Sequence, residues 1–180
     1  WAEVFASILA EEGIPAYSVS REGYFETYEV SVLLDYLKVL DNARQDLPLT
    51  AVLTSPFAGL TAAELSVIRL AYPNQLFYEA VEGFCSLSPE EIPETVDKKQ
   101  AMQVQEKLRK FFVVLDHFRE ILPYTAIHDL LAEIIDKTGY GLFISAMPGG
   151  AQRQANVEML VEKARAFEGT SYKGLFNFVR

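Results

Sequence analysis

Glu26 and Glu29 stand three residues apart in "GYFETYEV", residues 23 to 30, a spacing that places two carboxylates on one helical face. A pair so placed can share acid–base work, but it needs a pocket and a third partner, and the flanking residues supply neither. The simpler reading is architectural. Carboxylates in a first turn face the positive end of the helix dipole, which stabilises by about 0.3 to 1 kcal/mol each. Asp129, Glu133 and Asp136 form a second acidic row, of the kind that can gather oxygen ligands for a hard cation. No histidine or second helix is visibly paired with that row, so it reads as a solvated face. His117 and His128 read as packing or capping positions, and the residues suggest no catalytic group and no metal site.

Two glycine-bearing stretches bear on phosphate. "PGGAQRQAN", residues 148 to 156, lacks the Lys and Ser or Thr that complete a nucleotide-binding loop. Its Arg153 and Asn156 share a helical face, where they can bond to a neighbouring loop or to a phosphate. "SPFAGLTAAEL", residues 55 to 65, is a tight turn entering a helix opened by Thr61 and Glu64, the spacing of a capping box. Amides at such a helix start bind phosphate well, and the same turn can be purely structural.

The elements that must position these groups are helical. Val30, Leu33, Leu34, Leu37 and Leu40 predict a helix from Glu26 to Asn42 that puts Glu26 and Glu29 in its first turn. "DLPLTAVLT" predicts a short helix broken at Pro56 and Gly59, "LFYEAVEGF" another, and "SLSPEEIPETVDKK" a connector with a start signal at Ser88, Pro89 and Glu91. The strongest period runs through Ala101, Val104, Leu108, Phe111, Leu115, Phe118 and Leu122. Phe112 and Ile121 widen that stripe beyond a two-helix seam, so it belongs inside a bundle. "AIHDLLAEIIDKTG", "AQRQANVEMLVEKARAFE" and "SYKGLFNFVR" add three more apolar segments. At the start, Trp1, Val4, Phe5, Ile8 and Leu9 predict a helix ending at Gly13, and "IPAYSV" a short strand without a sheet to join. The expected fold is therefore mainly all-α: a helical bundle over residues 23–180, with a helix–strand piece of another domain over 1–22.

Composition narrows the class. The 180 residues carry a net charge of −9, which argues against a freestanding nucleic-acid binder. The imbalance lies in residues 1–97, with 4 basic and 16 acidic side chains, whereas residues 98–180 hold 12 and 9. A phosphate-contacting surface is expected in the second half, with Lys107 and Lys110 as its test positions. One cysteine forbids an internal disulfide and fits a reducing cytoplasm, and no stretch has the length and apolarity to span a bilayer. Beginning at Trp1 within an apolar pattern, the sequence reads as an excised fragment. Its 1–19 surface would then be exposed and prone to self-association.

The order of segments resembles a known family. "GIP" at 13–15, a strand, the aromatics with "FE" at 25–26, Glu29, an apolar helix ending at Asn42, and a "P..G" turn at 56–59 are similar to superfamily 1, UvrD-like DNA helicases, where the second motor domain (2A) leads into its helical 2B insertion. "GGAQRQANVEMLVEKARAFE" and "SYKGLFNFVR" resemble the AddA-type helicase and nuclease chains of bacterial AddAB (RexAB) recombination enzymes. The resemblance implies a parent that couples ATP hydrolysis, with magnesium, to DNA unwinding and exonuclease action in double-strand-break repair and recombination, beside an AddB-type helicase/nuclease partner. The motor and nuclease motifs themselves are absent from these residues. It further implies that residues 23–180 form an accessory domain meeting duplex or fork DNA. The turn that often reads "TP.RGIG" in the family has Ala58 in place of the arginine and Thr61 in place of the last glycine. Contact through the amides of Gly59, Leu60 and Thr61 is what then remains of it. In this reading Phe25 and Tyr28 anchor the first bundle helix, while Glu26, Glu29 and Asn156 belong to the structural motif around it. A different function, docking the partner nuclease chain without touching DNA, stays open.

Overall fold

The computed structural model describes residues 8–9, 23–171 and 173–180. The expected helix and strand over 1–19, the self-association surface there and the domain boundary at residue 22 lie outside the described residues, Ile8 and Leu9 apart. Among the described residues the chain is helical throughout: α1 (Tyr28–Asp41), α2 (Asp46–Thr54), α3 (Ala62–Ala71), α4 (Phe77–Ser86), α5 (Lys98–Ile121), α6 (Ile127–Lys137), α7 (Tyr140–Ser145), α8 (Gly150–Glu168) and α9 (Leu175–Phe178). Single 3-10 turns at Tyr24–Glu26 and Leu122–Tyr124 precede α1 and follow α5.

α1 is the central element, because its apolar residues are not confined to one stripe. Val30, Val32, Leu33, Tyr36, Leu37, Val39 and Leu40 are all buried, and α2, α5, α8 and α9 pack around them. At 24 residues α5 is about 36 Å long and forms the spine on which α3 and α4 lie. Its buried face holds the predicted Ala101, Val104, Leu108, Phe111, Leu115 and Phe118. Leu122 falls in the following 3-10 turn and is only half-buried. α6, α7 and α8 make a second packed group, attached to the first through α1 and α8.

Two polar side chains join elements far apart in sequence. Gln105, 3% exposed, projects from α5 and donates through Nε2 to the carbonyls of Phe84 and Leu87, both at 2.9 Å. It thereby satisfies the orphaned end of α4. Gln105→Leu should cost about 2 kcal/mol in a denaturant melt, since the Leu87 carbonyl loses its donor and the Phe84 carbonyl is left with the long 3.4 Å bond from the Leu87 amide; an unchanged midpoint would refute that role. Glu168, the last residue of α8, caps the start of α6: its carboxylate accepts from the Ile127 amide at 2.6 Å and contacts His128 Nδ1.

Burial works against the Glu168 charge, yet the His128 hydrogen bond, the Ile127 amide and the charge of His128 hold its pKa below the usual glutamate value. A group depressed on folding contributes stability that is present above its unfolded pKa and lost as pH falls through the folded one. Glu168→Gln is therefore expected to cost about 1 kcal/mol near neutrality. The variant and parent should converge in melts taken well below pH 4.5, the ordinary value. A gap that widens on acidification would contradict this capping role.

Candidate nucleic-acid interface

The turn at 55–61 is built by α2 ending and α3 beginning almost at once. Ser55 is buried, and its hydroxyl donates to the Val52 carbonyl at 2.6 Å and accepts from the Phe57 amide at 3.3 Å. Gly59 takes φ +64°, a left-handed conformation that a side chain would strain, and so turns the chain back toward α2. Thr61 Oγ1 accepts from the Glu64 amide at 3.2 Å while Glu64 Oε2 accepts from the Thr61 amide at 2.7 Å, completing the capping box.

The three amides expected to face phosphate are all engaged within the domain. Gly59 donates to the Ser55 carbonyl at 2.8 Å, Leu60 to the Leu53 carbonyl at 2.9 Å, and Thr61 to Glu64. Leu60 is also 3% exposed, its side chain being part of the core. The expectation of available amides at these positions is therefore corrected: closing the turn onto α2 uses the donors that would otherwise point outward.

Lys107 reaches this turn from α5. Its Nζ donates to Glu64 at 2.7 and 2.9 Å and to the Gly59 carbonyl at 2.9 Å, so its three donors have protein acceptors. Burial disfavours the Glu64 charge, but Lys107 and the Thr61 donors more than offset it and lower its pKa. Lys107 thus rivets the turn to the spine. Lys110, one turn further along α5, pairs among the described residues with Glu106 alone, at 2.7 Å, both side chains being well exposed. Phe57 anchors the same turn, its ring 4.4 Å from that of Tyr36 and stacked 4.9 Å from that of Tyr140.

The opening carboxylates separate. Glu26 lies in the 3-10 turn before α1, because Thr27 is extended and starts the helix later than a first-turn Glu26 would require. Glu29 is in the first turn but 2% exposed, and its partners come from α8. Arg153 donates to Oε2 at 2.5 Å and Asn156 to Oε1 at 2.6 Å, while the Tyr140 hydroxyl donates to the Glu29 carbonyl at 3.0 Å. Of the two bonding options for Arg153 and Asn156, the structure places them on this protein carboxylate, with Arg153 also bonded to the Pro148 carbonyl at 3.0 Å. Tyr24, not Phe25, fixes the entry to α1: its hydroxyl donates to the Asn156 carbonyl at 2.7 Å. Phe25 and Tyr28 are 56% and 41% exposed, with Lys163 over the rings of Tyr24 and Phe25.

The acidic row on α6 is divided among ion pairs. Glu133 meets Lys137 at 2.6 Å and His117 at 3.3 Å, and Asp129 meets His128 at 3.4 Å. Among the described residues no group of three or more His, Cys, Asp or Glu side chains is arranged to hold a metal ion, and no helix is long and apolar enough to cross a membrane. Sequence spacing located the capping box. Lys107 lies 48 residues from Gly59 and Arg153 lies 124 from Glu29, so local periodicity carried no signal for either junction.

The described residues thus form a helical bundle whose second helix runs through a pinned "SP..GL" turn into a boxed third helix. Residues 2–175 match the family described as the UvrD-like helicase C-terminal domain, and the chain belongs to that family. It is 40% identical to the A-type subunit of the ATP-dependent helicase/nuclease of Lachnoclostridium phytofermentans, over 100% of this chain and 16% of that protein. It is likewise 40% identical to the protein of the same name from Oceanobacillus iheyensis, over 100% and 14%, and 37% identical to that of Clostridioides difficile, over 99% and 14%. The chain thus spans 14 to 16% of the length of these relatives.

Proposed function

We propose that residues 23–180 form the accessory, 2B-like domain of an ATP-dependent DNA helicase and exonuclease that acts in the cytoplasm on double-strand breaks during repair and recombination. Residues 1–22 are the edge of its motor domain. ATP and magnesium serve motor and nuclease modules elsewhere in the parent, and the partner is the companion AddB-type chain. The observation that carries this reading is the match, over this whole chain, to A-type subunits of ATP-dependent helicase/nucleases. In this reading the domain meets duplex backbone ahead of the motor. Contact is centred on Lys110 and on the exposed start of α3, behind the turn Gly59, Leu60 and Thr61 that Lys107 braces. Arg153 is a second basic position, though Glu29 holds it. The Lys110–Glu106 pair is exposed and contributes little, so exchanging Glu106 for a phosphate costs little.

Binding of this chain to a forked duplex is expected to weaken as salt rises, and Lys110→Glu should reduce the log–log slope by about one. A specific observation favours a second reading, in which the domain docks the AddB-type partner without touching DNA: the turn's amides and Lys107 already have internal partners. Undetectable or salt-insensitive fork binding, with the AddB-type partner still bound, would establish that alternative and dismiss the first.

A further inference from the structure

The second packed group leaves a groove of about 460 Å³ between α6, α7 and α8, within the usual range of about 300 to 1,000 Å³ for a binding cleft. Val157 is buried at its base, Ile135 and Val161 are half-exposed walls, and Leu142 stands at the rim with 79% of its surface free. Gly141 keeps the base open, since a Cβ there would come within 3.1 Å of Ile135 Cγ2. A large, unpartnered aliphatic beside an apolar trough marks an interaction surface.

The charges on these helices say what fits. On α6, Asp129 has His128 and Glu133 has Lys137 and His117; on α8, Glu162 has Arg165 and Glu168 has His128. Two carboxylates on α6 and α8 lack a cationic partner among the described residues: Asp136, and Glu158, whose bond comes from neutral Gln154 at 3.2 Å. Both line the groove. The basic residues of the same helices are engaged elsewhere: Lys137 with Glu133, Arg153 with Glu29, Arg165 with Glu162, and Lys163 over the Tyr24 and Phe25 rings. On α6 and α8, among the described residues, the uncompensated negative charge thus lies at the edges of the apolar trough.

We propose that this groove receives a basic amphipathic helix of a partner protein, its aliphatic residues on Leu142, Ile135 and Val161 and its Lys or Arg residues on Asp136 and Glu158. The α8 wall, from Gln154 to Val161, spans eight residues and runs roughly 12 Å, enough for two turns of a docked helix, with the five residues from Ala132 to Asp136 of α6 facing it. A second copy of this chain is a poorer occupant because it brings a net charge of −9. Residues 1–12 are poorer too, carrying Glu3, Glu11 and Glu12 and no basic side chain. The inference does not depend on DNA contact.

The test uses the 180-residue chain and two labelled helical probe peptides of about 14 residues, identical in their leucines at positions i, i+3, i+4 and i+7, one with lysines elsewhere and one with glutamates. The lysine peptide should bind at least about tenfold more tightly than the glutamate peptide, and the double variant Asp136→Lys, Glu158→Lys should erase that preference. Leu142→Ser should weaken binding several-fold, and Lys110→Glu should leave it unchanged. All three altered side chains of the groove are exposed, so circular dichroism melts should match the parent. Absent binding of the lysine peptide, equal binding of both peptides, or indifference to the groove variants overturns the proposal. So does concentration-dependent self-association abolished by Leu142→Ser, which would seat a second copy in the groove.

Discussion

Replacing Glu29 with alanine is expected to lower stability by about 3 kcal/mol and the melting temperature by roughly 6 to 12 °C. Glu29 is 2% exposed and holds two long-range donors, Arg153 and Asn156, whose removal from their acceptor leaves a partly buried guanidinium and an amide unsatisfied. Glu29→Ala combined with Arg153→Ala should cost less than the sum of the two, because each single change already breaks the same junction. The acid dependence has a definite sign. Burial opposes the Glu29 charge, but the Asn156 hydrogen bond, its own backbone amide and Arg153 together hold its pKa below the ordinary glutamate value. Its contribution is thus complete at neutral pH and disappears as pH falls through that lowered value. A melt unchanged by Glu29→Ala at neutral pH would refute the assignment.

Gly150→Ala should be comparably damaging, at about 3 kcal/mol, for a reason of space alone. A Cβ at position 150 would lie 2.1 Å from the Ser145 carbonyl oxygen and 2.8 Å from its carbon, both backbone atoms that cannot swing aside. Either α7 or the first turn of α8 must move, and that turn carries Arg153. Gly169→Ala, at the other end of α8, is the control: its nearest neighbour would be the Ala166 carbonyl at 3.4 Å, an ordinary contact. Equal melts for these two variants would show that the α7–α8 corner is looser than its geometry requires.

The helices were legible because burial in this bundle follows the 3.6-residue period. The predicted stripe from Ala101 to Phe118 is the buried face of α5, with Gln105 added to it and Leu122 falling just past its end. Thr61 and Glu64 announced α3 for the same local reason, since both halves of a capping box lie within four residues. α7 was not legible. Six residues between Gly139 and the Gly149–Gly150 break are too short to display a period, and they hold helical form by packing on α6 and α8. The junctions around the candidate interface were hidden differently. In sequence Lys107 reads as a test position for phosphate contact and Arg153 as a partner for a loop or a phosphate, whereas the fold sets them on Glu64 and Glu29, because the choice between a phosphate and a protein carboxylate is made by tertiary structure.

The attachment of Tyr24 and Glu29 to α8 also bears on how the bundle would carry load. Tension entering at residue 23 meets the Tyr24–Asn156 bond and the Glu29–Arg153 pair before it reaches the apolar contacts of α1. Those links tie the entry segment sideways to a 19-residue strut, so the pull is resisted in shear and does not peel α1 open turn by turn. A neighbouring module that rocks against this end would therefore swing the whole bundle as one rigid lever.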